Sequence, residues 1–158
     1  MKENILISAC LLGEPTRYDG KSIVKIDLQK YKDKYNFVAV CPEVLGGLPT
    51  PRTPSERVGE RVVMRDGTDV TGQFALGAAR AVEICKRAGC KIAVLKAKSP
   101  SCGTGVIYDG TFSGKLAAGY GTAAEELLKN GITVIDENEF LEYVSRGINL
   151  SKPTKSDE

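Results

Sequence analysis

The chain has 158 residues, a formal net charge of +2 with basic and acidic residues interleaved, and no histidine. That length suits a single domain with a proper core, and the mixed charge lacks the basic footprint of a nucleic-acid binder. The missing imidazole excludes a Cys–His nucleophile pair and a Ser–His–Asp triad, and leaves any metal site to thiolates, carboxylates or backbone groups.

In chain order, "ENILISAC" (residues 3–10) is a short apolar, β-branched run that reads as a buried first strand. "LLGEPTRYDGKS" (11–22) is a loop by its Gly, Pro and Asp-Gly signals. "DLQKYKDKY" (27–35) reads as a short helix with Asp27 as N-cap. "NFVAVCPE" (36–43) is a second strand that stops at Cys41-Pro42, since proline cannot donate to a central ladder. Residues 44–60, with Gly46, Gly47, Pro49 and Pro51, read as a long loop of the kind that carries function.

"RVVMRDGTDVT" (61–71) predicts a small hairpin turning at Asp66-Gly67. A helix follows over 71–88, capped by Thr71 and stopped by Gly89, with Phe74, Ala78, Ala81, Val82 and Cys85 on one face. "KIAVLKAK" (91–98) is the third core strand; a helix over 120–131, a strand over 132–137 and a helix capped by Asn138 complete the pattern. Strands alternating with helices predict an α/β fold: one domain over 1–150, a doubly wound, Rossmann-like, mostly parallel sheet with helices on both faces and a small hairpin insertion. Residues 151–158 read as a polar, disordered tail.

The five cysteines are an odd count with no signal-peptide pattern and no membrane-length apolar run. They read as cytosolic thiols available for metal or redox chemistry rather than a disulfide framework. Cys85 and Cys90 fit ordinary core packing. Cys10 and Cys41 each close a predicted strand, and Cys102 lies in the loop after the third core strand. Open parallel sheets bind ligands outside the carboxyl ends of their strands, where strand order reverses. One thiol there is a small residue tolerated in a crowded place. Three at the same edge, each before a loop rich in Gly and Pro, point to a shared site. Soft thiolates select zinc, copper(I) or an iron–sulfur cluster, and three of them leave one position open for catalysis. Spacing alone does not separate these options.

The segments "ISACLLG…RYDGKS", "CPEVLGGLPTPRTPSE", "LKAKSPSCG…IYDG" and "GYGTAAEELLKNGITVIDE" together resemble the TudS-like thiouracil desulfidase family, from about residue 5 to 140. The resemblance implies a [4Fe–4S] cluster on Cys10, Cys41 and Cys102, and non-redox conversion of a thiolated pyrimidine to its oxo form with release of hydrogen sulfide. It implies that the substrate sulfur binds the iron that no cysteine holds. The implied partner is a small thiolated base; neither a membrane nor intact nucleic acid is expected.

Without histidine, a carboxylate is the natural proton carrier, and Glu43, two residues after Cys41 in the family motif, is the first choice. Ser101, beside Cys102, would assist it or serve only its own turn. Arg17, Asp19, Arg52 and Glu56 lie in the two long loops, placed either to orient a pyrimidine or to pair with one another and hold the loops. Lys96 and Lys98 would either offset the charge of a thiolate-bound group or cap the strand end in solvent. Two other classes fit the trio: a non-catalytic cluster- or zinc-binding module, and a thiol redox protein using Cys41 or Cys102.

Overall fold

The computed structural model describes residues 2–14, 16–20, 28–31 and 33–147. Its elements are β1 (Glu3–Ser8), β2 (Tyr35–Val40), α1 (Pro42–Leu45), β3 (Ser55–Val58), β4 (Arg61–Met64), α2 (Thr71–Arg87), β5 (Ile92–Leu95), β6 (Val106–Tyr108), β7 (Leu116–Ala118), α3 (Thr122–Lys129), β8 (Thr133–Asp136) and α4 (Glu137–Ser145). One four-stranded sheet in the order β2-β1-β5-β8 is parallel throughout, and two antiparallel pairs, β3-β4 and β6-β7, stand apart from it.

Alternation along the central strands explains the layers. Ile5, Ile7, Ile92, Val94 and Ile135 pack on one face with Phe140 of α4. Leu6, Val40, Ala93 and Leu95 pack on the other with Val82 and Cys85 of α2 and Ala124 and Leu127 of α3. A parallel sheet buried on both sides needs apolar residues at every position, which is what "ILI" and "IAVL" supply. Each such side chain contributes about 1.5–3 kcal/mol on burial, so the register is strongly held. Strand order reverses at β1, whose neighbours are β2 and β5, and the carboxyl ends of these three strands define the crevice expected of such a sheet.

The local differences from the sequence reading have physical causes. Residues 44–60 are not one loop: Pro42 opens the one-turn helix α1, because its missing N–H is an orphan at that position anyway, and Ser55–Val58 is a strand. The Asp66-Gly67 turn is present, with Gly67 N–H donating to Met64 O at 2.8 Å, but β4 takes its ladder from β3 upstream rather than from the residues that follow. Across that turn a short pairing forms, the bridge Val63–Asp69 flanked by Met64 N–H to Thr68 O at 2.8 Å and Val70 N–H to Val62 O at 2.9 Å. Thr71 does not cap α2; its hydroxyl accepts the Val62 amide at 2.9 Å instead. The cap of α4 is Asp136, in a reciprocal capping box with Glu139, and not Asn138. Residues 28–31 form a single 3-10 turn rather than the start of a longer helix, and Tyr35 already belongs to β2. The Asp27 cap and the 151–158 tail lie outside the described residues.

Helix α1 is fixed by two glycines. A Cβ on Gly46 would stand 2.0 Å from Gln73 O, and one on Gly77 would stand 1.8 Å from Pro42 O. The backbones of α1 and α2 therefore touch directly, which no larger residue permits. Cys41 is the N-cap of α1 and Glu43 lies in its first turn, so this contact places both.

Candidate functional site

The carboxyl ends of β1, β2 and β5 open into a cavity of about 470 Å³ lined by Cys10, Cys41 and Cys102 together with Glu43, Arg52, Glu56 and Ser101. Three separate devices present the thiols. Cys10 sits in the 3-10 turn Ala9–Leu12 directly after β1, closed by Gly13 with φ of 91°. Cys41 starts α1. Cys102 lies in a turn in which the Ser99 hydroxyl accepts its amide at 2.7 Å and Gly103 N–H donates to Ser99 O at 2.9 Å. The same turn is packed against the start of α3. The amides of Ala123 and Ala124 donate to Ser101 O, and a Cβ on Gly121 would meet the Ser101–Cys102 peptide at 2.4 Å.

All five cysteines are free thiols. Burial pushes the Cys10 thiol up to about 11, with the neighbouring Cys41 adding to the rise and Lys96 and Arg17 opposing it. Burial pushes Cys102 up to about 12 against hydrogen bonds from Ser8 and Ser101, and both Cys41 and Cys10 contribute to the rise. The three sulfurs thus sense one another across a single space. Alone, Cys10 and Cys102 stay protonated at neutral pH, which makes them poor nucleophiles. A soft cationic group would hold them as thiolates. Among the described residues no three Cys, Asp or Glu side chains are gathered closely enough to hold a single metal ion. Three soft thiol donors lining one cavity suit a soft metal group such as an iron–sulfur cluster.

Glu43 and Ser101, 58 residues apart, meet: the Ser101 hydroxyl donates to Glu43 Oε2 at 2.9 Å and lies 3.6 Å from Cys102 Sγ. The other Glu43 oxygen, Oε1, accepts from Arg52 Nε at 2.9 Å. Arg17 pairs with Asp19 at 3.7 Å and lies over the Tyr18 ring at 5.8 Å; Arg17 lines the cavity, and Asp19 is not among its lining residues. Glu56 is buried, and one of its oxygens accepts the amides of Gly110 at 2.9 Å and Phe112 at 3.1 Å. Lys96 and Lys98 both line the cavity. Cys85 and Cys90 lie in the core between α2, α3 and β5, as their apolar setting predicts.

The family model described as 2-thiouracil desulfurase matches residues 5–139. The chain belongs to this family. A solved structure described as a [4Fe–4S]-dependent thiouracil desulfidase, TudS, is 46% identical, with a TM-score of 0.83 over 92% of this chain and 97% of that one. The uncharacterized protein YbbK of Bacillus subtilis (strain 168) is 41% identical over 145 residues, covering 85% of this chain and 96% of its own.

In this desulfurase-family chain several residues that line the cavity, or hold residues that line it, escape the sequence reading. Ser8 ends β1, and its hydroxyl accepts the Lys96 amide at 2.9 Å while bonding the Cys102 thiol. Glu137, at the start of α4, is buried; it accepts the Ala97 amide at 2.8 Å and pairs with Lys96 Nζ at 3.3 Å. Tyr18, Tyr108 and Phe112 supply aromatic wall, with Arg65 over the Phe112 ring at 5.6 Å. The signal available for Ser8 was position alone, a polar residue ending an apolar run; Glu137, inside the polar stretch 136–139, offered none. For the aromatic wall there was none, because the β6-β7 pair that carries Tyr108 and frames Phe112 has no clear strand pattern.

Proposed function

We propose that the chain is a desulfidase that converts a thiolated pyrimidine of the thiouracil type to its oxo form and releases hydrogen sulfide, holding a [4Fe–4S] cluster on Cys10, Cys41 and Cys102. The observation that carries this reading is the convergence of three free thiols, one from each strand end at the point where the sheet order reverses, on a cavity that also holds a Glu–Ser pair. Family membership and the 46% identical TudS structure agree with it.

When bound, the cluster supplies a soft Lewis acid, an iron that no cysteine occupies, for the thiocarbonyl sulfur. The rest falls to this chain's side chains. Replacing C=S by C=O consumes one water, whose oxygen stays on the ring carbon and whose two protons leave with the sulfur. Glu43 takes the first proton at Oε2, the oxygen that Ser101 also touches, and returns it to the departing sulfide or a ring nitrogen. Ser101, with its single proton, orients that carboxylate and the water rather than acting as a base. Tyr18, Tyr108 and Phe112 suit a flat heterocycle and keep bulk water from it. Arg17, Lys96 and Lys98 on the same walls offset the negative charge that three thiolates bring. Free thiols in a reducing compartment, a single domain and a small-molecule substrate complete the reading. Among the described residues no helix is long and apolar enough to cross a membrane.

The test is anaerobic purification with iron and acid-labile sulfide assayed per chain, and thiouracil offered as substrate. About four of each per chain, as a cubane requires, with sulfide release, is the expected result. A reconstituted protein that carries the cluster but leaves thiouracil unchanged would overturn the substrate assignment, and one that holds no iron would overturn the reading.

A further inference from the structure

Arg52 is the most enclosed charged group on the cavity wall next to Glu43: its side chain is 3% exposed and that of Glu43 is 12%. Four of its five N–H groups are engaged by protein. Nε donates to Glu43 Oε1 at 2.9 Å, Nη1 to Pro49 O at 3.1 Å and Thr50 Oγ1 at 3.0 Å, and Nη2 to Thr16 O at 2.9 Å. The Arg52 amide also donates to Tyr18 O at 2.6 Å. A substrate-orienting arginine needs free N–H groups aimed at the ligand; this one uses its planar fork to join three chain segments. One is the loop after Cys10, whose Thr16 carbonyl also receives the Cys41 thiol at 3.8 Å. The second is the 49–50 stretch, and the third is the first turn of α1.

Glu43 is thereby held from two sides, Oε1 by Arg52 and Oε2 by Ser101. A carboxylate held at one oxygen can swing about its last torsion; held at both, it has one orientation. We infer that Arg52 is a positioning residue that sets the Glu43 carboxylate so that Oε2 faces the reacting atoms, and that it does not itself bind substrate. The inference deepens the desulfidase reading and rests on it. Lysine is no substitute, because a single ammonium cannot span Glu43, Thr16 and Pro49 together.

The experiment compares wild type, Arg52→Lys, Arg52→Gln, Glu43→Gln and the Arg52→Lys/Glu43→Gln double variant. All are loaded anaerobically, with iron per chain and thermal midpoint measured beside kcat and KM for thiouracil. Misplacing a catalytic group by about 1 Å costs about 100-fold. The expected result is a kcat lowered by that order in Arg52→Lys, with KM and iron content unchanged and the double variant no slower than Glu43→Gln alone. A raised KM with kcat intact would overturn the inference in favour of substrate contact. Loss of iron or of the fold in both Arg52 variants would overturn it in favour of a scaffold role. A loaded wild type that leaves thiouracil unchanged takes away the substrate assignment on which the inference rests, and the inference with it.

Discussion

Cys102 and Cys85 are both buried, at 4% and 0% exposure, yet their surroundings differ in kind. Cys85 lies on the apolar face of α2, its thiol donating to Cys90 O at 3.4 Å, within an apolar cluster whose edge Cys102 also joins. Cys102 stands at the sheet edge within reach of two serine hydroxyls and two further thiols. Burial alone therefore does not separate these two cysteines; the polar company does. The interior of a helix–sheet layer has every backbone group paired and only side chains to offer. The carboxyl ends of parallel strands leave turns whose amides and hydroxyls can be aimed.

Substitutions test this contrast directly. The largest effect is expected from Cys10→Ser, Cys41→Ser or Cys102→Ser, each of which should abolish iron retention and thiouracil turnover, read by iron assay and sulfide release. Next, Glu43→Gln should keep the iron and lower kcat by about 10²–10⁴-fold, the usual worth of a proton carrier. Gly46→Ala forces a Cβ against the Gln73 carbonyl; a loss of about 3 kcal/mol in urea melts is expected, with Cys41 displaced along with α1.

A smaller effect comes from pH. With Cys10 near 11 and Cys102 near 12 in the ligand-free folded chain, iodoacetamide labelling followed by mass spectrometry should be slow at pH 8 and rise about tenfold per pH unit. An unfolded thiol ionises near about 8.5, so above about pH 9 the folded chain holds more protons than the unfolded one. The stability contributed by the protonated thiols is thus intact below that pH and is lost as pH climbs toward the folded values. The smallest effect belongs to Cys85→Ala and Cys90→Ala: about 1–2 kcal/mol of stability, with iron content and turnover unchanged. A lost cluster in either variant would break the contrast.

The main sheet was legible because "ILI" and "IAVL" carry their own periodicity, and the trio of thiols was legible because each follows such a run. Arg52 and Glu56 were visible as loop charges, but their partners were not. Glu43 meets Ser101 across 58 positions and Glu56 meets Gly110 across 54, and such pairings follow from tertiary closure rather than from local pattern. The β3-β4 pair was misread for a related reason: Asp66-Gly67 is a strong turn signal, whereas the strand that β4 joins carries proline and charge just before and within it. Asn138 was taken for a cap although Asp136, the true one, has the Glu139 that completes the box.

The thiols come from strands brought together only when β1 pairs with β2 on one side and β5 on the other. A Cys-x-x-Cys motif can seize a metal while the rest of the chain is unfolded, and so can template folding. This chain has no such pair; its third thiol is long-range and arrives last in synthesis. Pairing of non-local strands is a slow event. Topology therefore makes the three sulfurs neighbours only once these strands have paired. Cofactor loading is then a transaction with an already folded protein.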